Sequence, residues 1–212
     1  MTAINFSSEH LEYIELNEDC LIGTGSRRFC YLYPERPDLC IKIPKPKRNG
    51  YLQQRREVRY YRKLSKKKAP TTHITRYHGT VPTSLGTGYI YDAIRDFDGS
   101  VSTHLIDYFR DEPERVSEYL TILKQLECYL FENYILIYDL SAWNILCRKN
   151  EDGSLHPYII DGIGDVVAIP ILNLSKVLLR QKLTRRWLRM IRQIAREFDW
   201  IAQYQGTYYQ SS

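Results

Sequence analysis

Apolar positions along the chain change their period twice before residue 102 and settle on a helical one afterwards. Cys20 to Ile22, Phe29 to Tyr33 and Leu39 to Ile43 are short apolar runs parted by turn residues, the pattern of half-buried strands. Gly23, Thr24, Gly25 and Ser26 turn the first run into the second, and Pro34 and Pro37 the second into the third. From Leu52 to Leu64 the spacing lengthens, with Val58, Tyr61 and Leu64 on one helical face. Ile74 to Thr80 and Gly88 to Asp92 return to strand, with a turn over Pro82 to Gly86, and Tyr13 to Leu16 adds one short candidate strand.

Beyond Ser102 the pattern predicts helix. Thr103 to Phe109 is short and amphipathic. Pro113 sets the start of a helix over Glu114 to Phe131, where Val116, Leu120, Leu123 and Leu130 recur at helical spacing, and Asn133 caps it. A strand over Tyr134 to Ile137 follows. The last element, Ser175 to Gln203, carries Leu179, Leu183, Trp187, Ile191, Ile194, Phe198 and Ile201 on one stripe, which reads as core, and several arginines on its other face.

Between these helices lies the stretch richest in chemistry. Asp139 and Asn144 have D-x-x-x-x-N spacing, and Ile145-Leu146 and Tyr158-Ile159-Ile160 flank a turn made by Asn150, Asp152 and Gly153, so the segment predicts a β-hairpin. A turn centred on Asp152-Gly153 places Asn144 opposite Asp161. One amide oxygen and one carboxylate would then face each other, a pairing suited to a hard divalent cation and phosphate oxygens. A surface hairpin with ordinary polar ends is the competing reading.

Composition narrows the class. The 212 residues can bury a substantial core as one domain or two small lobes, and 43% hydrophobic content with 18 tyrosines excludes a disordered chain. No run approaches a membrane span, and acids stand where a signal peptide would be basic, so a cytoplasmic protein is expected. Five cysteines without a C-x-x-C pair point to free thiols rather than to disulfides or zinc.

Net charge is +5, but Lys42 to Lys68 holds twelve Lys or Arg and one acid, Glu57, leaving −6 for the remainder. Such a block attracts phosphates, nucleic acid or an anionic membrane. Aromatics are not interleaved there as stacking platforms, which argues against nucleic acid. Lys42 lies inside an apolar strand, so its ammonium must snorkel, pair or face water from an edge. Glu57 suits an ion pair with Lys42, with a local pairing to Arg62 or Lys63 as the alternative.

The order of these parts, a glycine-rich turn, a strand lysine, a helix glutamate, then Asp139, Asn144 and Asp161, is that of a protein-kinase-like fold. The expected class is α+β and bilobal, with a small β-rich lobe over residues 1–92 and a reduced, mainly helical lobe over 93–212. The chain also resembles the YrbL family of the PhoP regulatory network, through LIGTGSRRFCY, CIKIPK, REVRYY, RYHGTV, GTGYIYDAIRDFDG, LKQLECYL, NILC and DGIGD. That resemblance implies a bacterial cytoplasmic protein with a kinase-like fold and supplies no established substrate.

Carried onto these residues, it implies ATP and Mg²⁺ as cofactors. Gly23, Thr24, Gly25 and Ser26 would cover the phosphates, Lys42 would neutralise them and Glu57 would orient Lys42. Tyr91, Asp92 and Ala93 would offer backbone to an adenine. Asp139 would take the proton of an attacking hydroxyl, and Asn144 and Asp161 would hold the metal. Arg28 stands where the third glycine belongs, Ile137-Tyr138 where His-Arg precedes the catalytic aspartate, and Gly162 where Phe follows the metal aspartate. Only 51 residues follow Asp161, too few for a peptide-substrate platform. The expected acceptor is therefore a small, acidic or sugar-like hydroxyl compound. The alternative is a non-catalytic nucleotide sensor or regulatory adaptor on the same fold.

Overall fold

A computed structural model describes residues 13–46, 49–164 and 176–198. Backbone contacts divide the chain into two compact units, residues 1–63 with 75–94, and residues 64–74 with 95–212. The division after Ile94 lies two residues beyond the expected boundary. The segment Leu64–Ile74 belongs to the second unit, which the sequence pattern did not indicate.

The first unit is a five-stranded antiparallel sheet in the order β1-β2-β3-β5-β4, formed by Leu21–Thr24, Arg28–Tyr33, Arg36–Pro44, Gly86–Asp92 and Tyr77–Thr83 in that spatial order. Helix α1, Gly50–Lys66, leaves β3 and leads toward β4. β3 lies inside the sheet, and alternation sorts its residues. Leu39, Ile41 and Ile43 join Ile14, Leu16, Tyr31, Val81 and Ile90 in an apolar core, while Cys40 and Lys42 take the other face. Tyr61 of α1 packs on that face, its ring 5.7 Å from that of Tyr91. Because β3 has a neighbour on each side and α1 over it, Lys42 is only 6% exposed. A water-facing edge lysine is thereby excluded.

Two local expectations shift. Of Tyr13 to Leu16 only Ile14 makes a bridge, parallel to Thr83, and the segment contributes mainly by burying Ile14 and Leu16. Pro82 continues β4 opposite Thr87, so the turn contracts to Ser84-Leu85. β4 is an edge strand, where a residue without an N–H is tolerated, and the Pro82 carbonyl accepts the Ile14 N–H at 3.0 Å.

The second unit combines a small sheet, β6-β7-β8 (Thr103–His104, Ile145–Lys149, Leu155–Ile159), with α2 (Leu105–Asp111), α3 (Val116–Glu132) and α4 (Lys176–Glu197). Phe109 of α2 meets Tyr119 of α3 edge to face at 5.2 Å. Leu123, Leu126 and Leu130 of α3 are buried, as are Leu179, Leu183, Trp187 and Ile191 of α4. Asn133 caps α3 as expected, its side-chain amide donating to the Tyr129 carbonyl at 2.8 Å. The expected helix end at Gln203, with Ile201, lies outside the described residues. Leu64–Ile74 is tied in by an Ile74–Ile159 bridge, by the Ile159 N–H to the His73 carbonyl at 2.8 Å, and by the Tyr129 hydroxyl to the Pro70 carbonyl at 2.6 Å. No described helix is long and apolar enough to cross a membrane.

Candidate functional site

The candidate residues fall into two groups, one in each unit. In the first unit the glycine-rich turn is closed by its own backbone. Gly25 N–H donates to the Arg28 carbonyl at 2.9 Å, and Lys45 N–H to the Arg27 carbonyl at 2.8 Å. The Lys45 ammonium bonds the Gly25 carbonyl at 2.6 Å while lying 4.2 Å over the Phe29 ring. Thr24, Gly25 and Ser26 are exposed at this tip.

Arg28, at the position of the missing third glycine, turns inward rather than out. Its Nη1 donates to Glu57 Oε1 at 3.1 Å and its Nη2 to Oε2 at 3.0 Å, a two-pronged pair that ties β2 to α1. Nη1 also reaches Gln54 Oε1 at 2.8 Å. Gln54 Nε2 donates to the Tyr91 hydroxyl at 2.7 Å, which donates to Glu57 Oε1 at 3.0 Å. Glu57 is fully buried and Arg28 is 7% exposed.

Lys42 completes this cluster, its ammonium 4.7 Å from the centre of the Tyr91 ring. Burial first, and then the Arg28 charge, lower its pKa, against the attraction of Glu57. The Glu57 carboxylate opposes that lowering, while its hydrogen bonds come from Arg28 and Tyr91. Arg28 is a partner that neither the Lys42 nor the Arg62/Lys63 reading contained. A signal for it existed: Gln54 and Glu57 are one turn apart on a helix otherwise rich in bases. Cys30, opposite Lys42, has its thiol pulled down by the Cys40 thiol against burial, with Lys42 and Arg28 assisting. Cys40 is raised in turn.

The segment assigned to adenine is heavily bonded. Tyr91 is buried in the cluster just described. Asp92 N–H donates to the Arg76 carbonyl at 3.2 Å and Ala93 N–H to the Asp38 carbonyl at 2.9 Å. The Asp92 carboxylate accepts from Arg76 at 2.7 Å (N–H) and 3.0 Å (Nε), and meets His78 Nε2 at 2.7 Å. Burial pushes this carboxyl up, but the bonds from His78 and Arg76 outweigh it, and its pKa lies below the usual value.

In the second unit, backbone hydrogen bonds bring two stretches side by side. Tyr138 N–H donates to the Gly162 carbonyl, and Gly164 N–H to the Leu136 carbonyl, both at 2.7 Å, around an Ile137–Ile163 bridge. This pairing replaces the regular strand expected at Tyr134 to Ile137. Asp139 follows, exposed. A single 3-10 turn, Ala142–Asn144, then starts on Ser141, whose hydroxyl accepts the Trp143 N–H at 3.3 Å. It returns the Asn144 side chain so that Nδ2 donates to the Asp139 carbonyl at 2.8 Å, leaving Oδ1 as the opposite end of the amide.

Asp161 stands on the neighbouring stretch, its Oδ1 accepting the Gly162 N–H at 2.6 Å. Gly162 has φ 75°, and a Cβ there would come within 2.8 Å of both Cβ and the carbonyl oxygen of Asp139. Only glycine permits this approach.

The hairpin forms, but its register differs by one from the expected pairing. Ile145 pairs with Ile159 and Lys149 with Leu155, and Ile160 N–H bonds the Asn144 carbonyl at 2.9 Å. Asn144 therefore lies across from Ile160, with Asp161 one residue further along. The cause is the turn: Gly153 has φ 80° and follows Glu151-Asp152, making a three-residue loop closed by Asn150 N–H to the Ser154 carbonyl at 2.8 Å.

Asp139, Asn144 and Asp161 are thus joined through their backbones in one unit. The described residues hold no group of three or more His, Cys, Asp or Glu placed to bind a metal. A donor set of one amide and one or two carboxylates fits Mg²⁺, which keeps waters and takes phosphate oxygens. A cavity of about 450 Å³ beside α3 and α4, lined by Lys124, Phe131, Tyr134, Arg180 and Trp187 among others, includes none of these residues.

The profile of the family described as PhoP regulatory network protein YrbL matches residues 14–195. The chain belongs to that family. It is 39% identical over 185 residues to the uncharacterized protein YrbL of Escherichia coli (strain K12), covering 86% of this chain and 88% of the relative. The uncharacterized protein YrbL of Shigella flexneri matches with the same identity and coverage. Both candidate groups fall inside the matched region, Arg28 and Gly162 included.

Proposed function

We propose that the protein binds ATP with Mg²⁺ on a protein-kinase-like fold and transfers the terminal phosphoryl group to a hydroxyl of a small, non-protein acceptor. The observation that supports this best is the approach of Gly162 to Asp139, which joins the candidate base to the candidate metal aspartate. In this reading the exposed Asp139 orients the acceptor hydroxyl and takes its proton as the new P–O bond forms and ADP leaves. Asn144 and Asp161 hold the metal, which supplies charge neutralisation on the phosphate oxygens. In the first unit, Lys42 and the tip at Gly23 to Ser26 are the groups suited to phosphate oxygens.

A second reading, a nucleotide sensor or regulatory adaptor in a PhoP-linked response, draws on Arg28. Its two-pronged hold on Glu57 gives that carboxylate a strong partner besides Lys42, and the family's description is regulatory.

Thermal melting tests both. ATP with Mg²⁺ is expected to raise the melting temperature, by an amount equivalent to about 2.7 kcal/mol at a hundredfold excess over Kd. Asp161→Ala should remove the metal-dependent part of the rise. No shift with any nucleotide overturns both readings. ATP turnover in a metabolite extract then separates them: Asp139→Ala should abolish turnover while retaining the ATP-induced shift, whereas a parent protein that binds without turnover is the sensor.

A further inference from the structure

The outer face of α1 concentrates bases over a short length of helix. Gln54, Glu57, Val58 and Tyr61 are buried, so the helix meets its own unit with that side. Leu52, Arg55, Arg56, Arg59, Arg62, Lys63 and Lys66 recur at three- and four-residue steps on the opposite side. The lone acid of the basic block is Glu57, which lies inward and holds Arg28, so the outer face carries no negative charge at all.

Five bases elsewhere have carboxylate partners: Arg36 with Asp38, Arg76 with Asp92, Arg110 with Asp107, Arg115 with Glu112 and Glu118, and Lys124 with Glu127; the arginines of α4, such as Arg185, Arg189 and Arg192, share with α1 the lack of a salt bridge among the described residues. Among the described residues none of Arg55, Arg56, Arg59, Arg62, Lys63 or Lys66 forms a salt bridge. Six like charges within about 17 Å of helix rise repel one another and favour a polyanion.

Which polyanion is decided by the first turn. Leu52 is 48% exposed and Tyr51 is 46% exposed, beside the bases. A duplex phosphate backbone has no use for an exposed leucine. The headgroup layer of a bilayer does, because it accepts apolar and amphipathic side chains a few ångströms deep while its anionic lipids hold the bases. The long Arg and Lys stems add apolar contact and keep their charges at the headgroups. We propose that the outer face of α1 docks the protein on an anionic lipid surface, as a peripheral contact and independently of the phosphotransfer reading.

Vesicle sedimentation of the full chain tests this. The protein should pellet with vesicles of phosphatidylcholine mixed with phosphatidylglycerol and stay in solution with phosphatidylcholine alone. Binding should weaken steeply as salt rises above about 0.1 M, where the screening length is about 10 Å. The variant R55Q/R59Q/R62Q should lose on the order of a hundredfold in partition, at about fivefold per base. The control R36Q/R110Q/R115Q removes the same charge from paired positions and should lose far less. Leu52→Asn should weaken binding severalfold without changing its salt dependence. Equal losses in the two triple variants, or no pelleting with anionic vesicles by the unaltered protein, overturn the proposal. So does binding to duplex DNA in a fluorescence titration without vesicle binding, which would give the face to nucleic acid.

Discussion

The two groups of candidate residues handle charge in opposite ways. Around Glu57, charges are removed from water and locked to one another: Arg28, Gln54 and Tyr91 all bond the same network, and Lys42 sits against the Tyr91 ring. Around Asp139, the aspartate itself is exposed while its loop is fixed by bonds from Tyr138, Asn144 and Ile160, and Asp161 accepts the Gly162 N–H. The first arrangement ties stability to its side chains. The second leaves the Asp139 side chain at the surface and ties stability to the loops that carry it.

That contrast predicts unequal mutational costs. Glu57→Ala leaves Arg28 and Lys42 buried without their carboxylate and should cost about 3–5 kcal/mol, read from urea unfolding midpoints. Combining Arg28→Met with Glu57→Met should cost less than the two changes added, with a coupling of about 0.5–3 kcal/mol; strict additivity would show that the pair is not a unit. Gly162→Ala is next. Its positive φ and the contact with Asp139 should cost about 1–3 kcal/mol, by the same measurement, although the side chain gained is one methyl group. Asp139→Ala should change stability by less than about 0.5 kcal/mol, as for an exposed surface position. A large loss there would erase the distinction between the two regions.

Much of the architecture was legible because periodicity reports burial. β2, β3, α1, β5, α3 and the described part of α4 lie where the apolar spacing placed them. What escaped was decided by geometry that period alone does not encode. The pairing of Asn144 depended on whether Gly153 closes a two- or a three-residue loop, and one extra residue moves every partner by one. The inward turn of Arg28 depended on β2 lying close to α1, a tertiary fact, whereas the strand pattern showed only that a basic residue follows the turn. Lys42 was readable as a lysine in an apolar strand, but its burial followed from the rank of β3 within the sheet. The membership of Leu64–Ile74 in the second unit rests on contacts with Tyr129, His156 and Ile159, far along the chain.

That last feature has a consequence for how the molecule is made. On the ribosome, the stretch around His73 emerges 86 residues before Ile159, the residue whose N–H its carbonyl accepts. At about 5–20 residues per second this stretch waits on the order of 4–17 s for its partner. The polypeptide crosses between its two units after residues 63, 74 and 94. A nascent chain halted near residue 94 has therefore made every segment of the first unit but only an orphaned piece of the second, and no single cut yields both units whole.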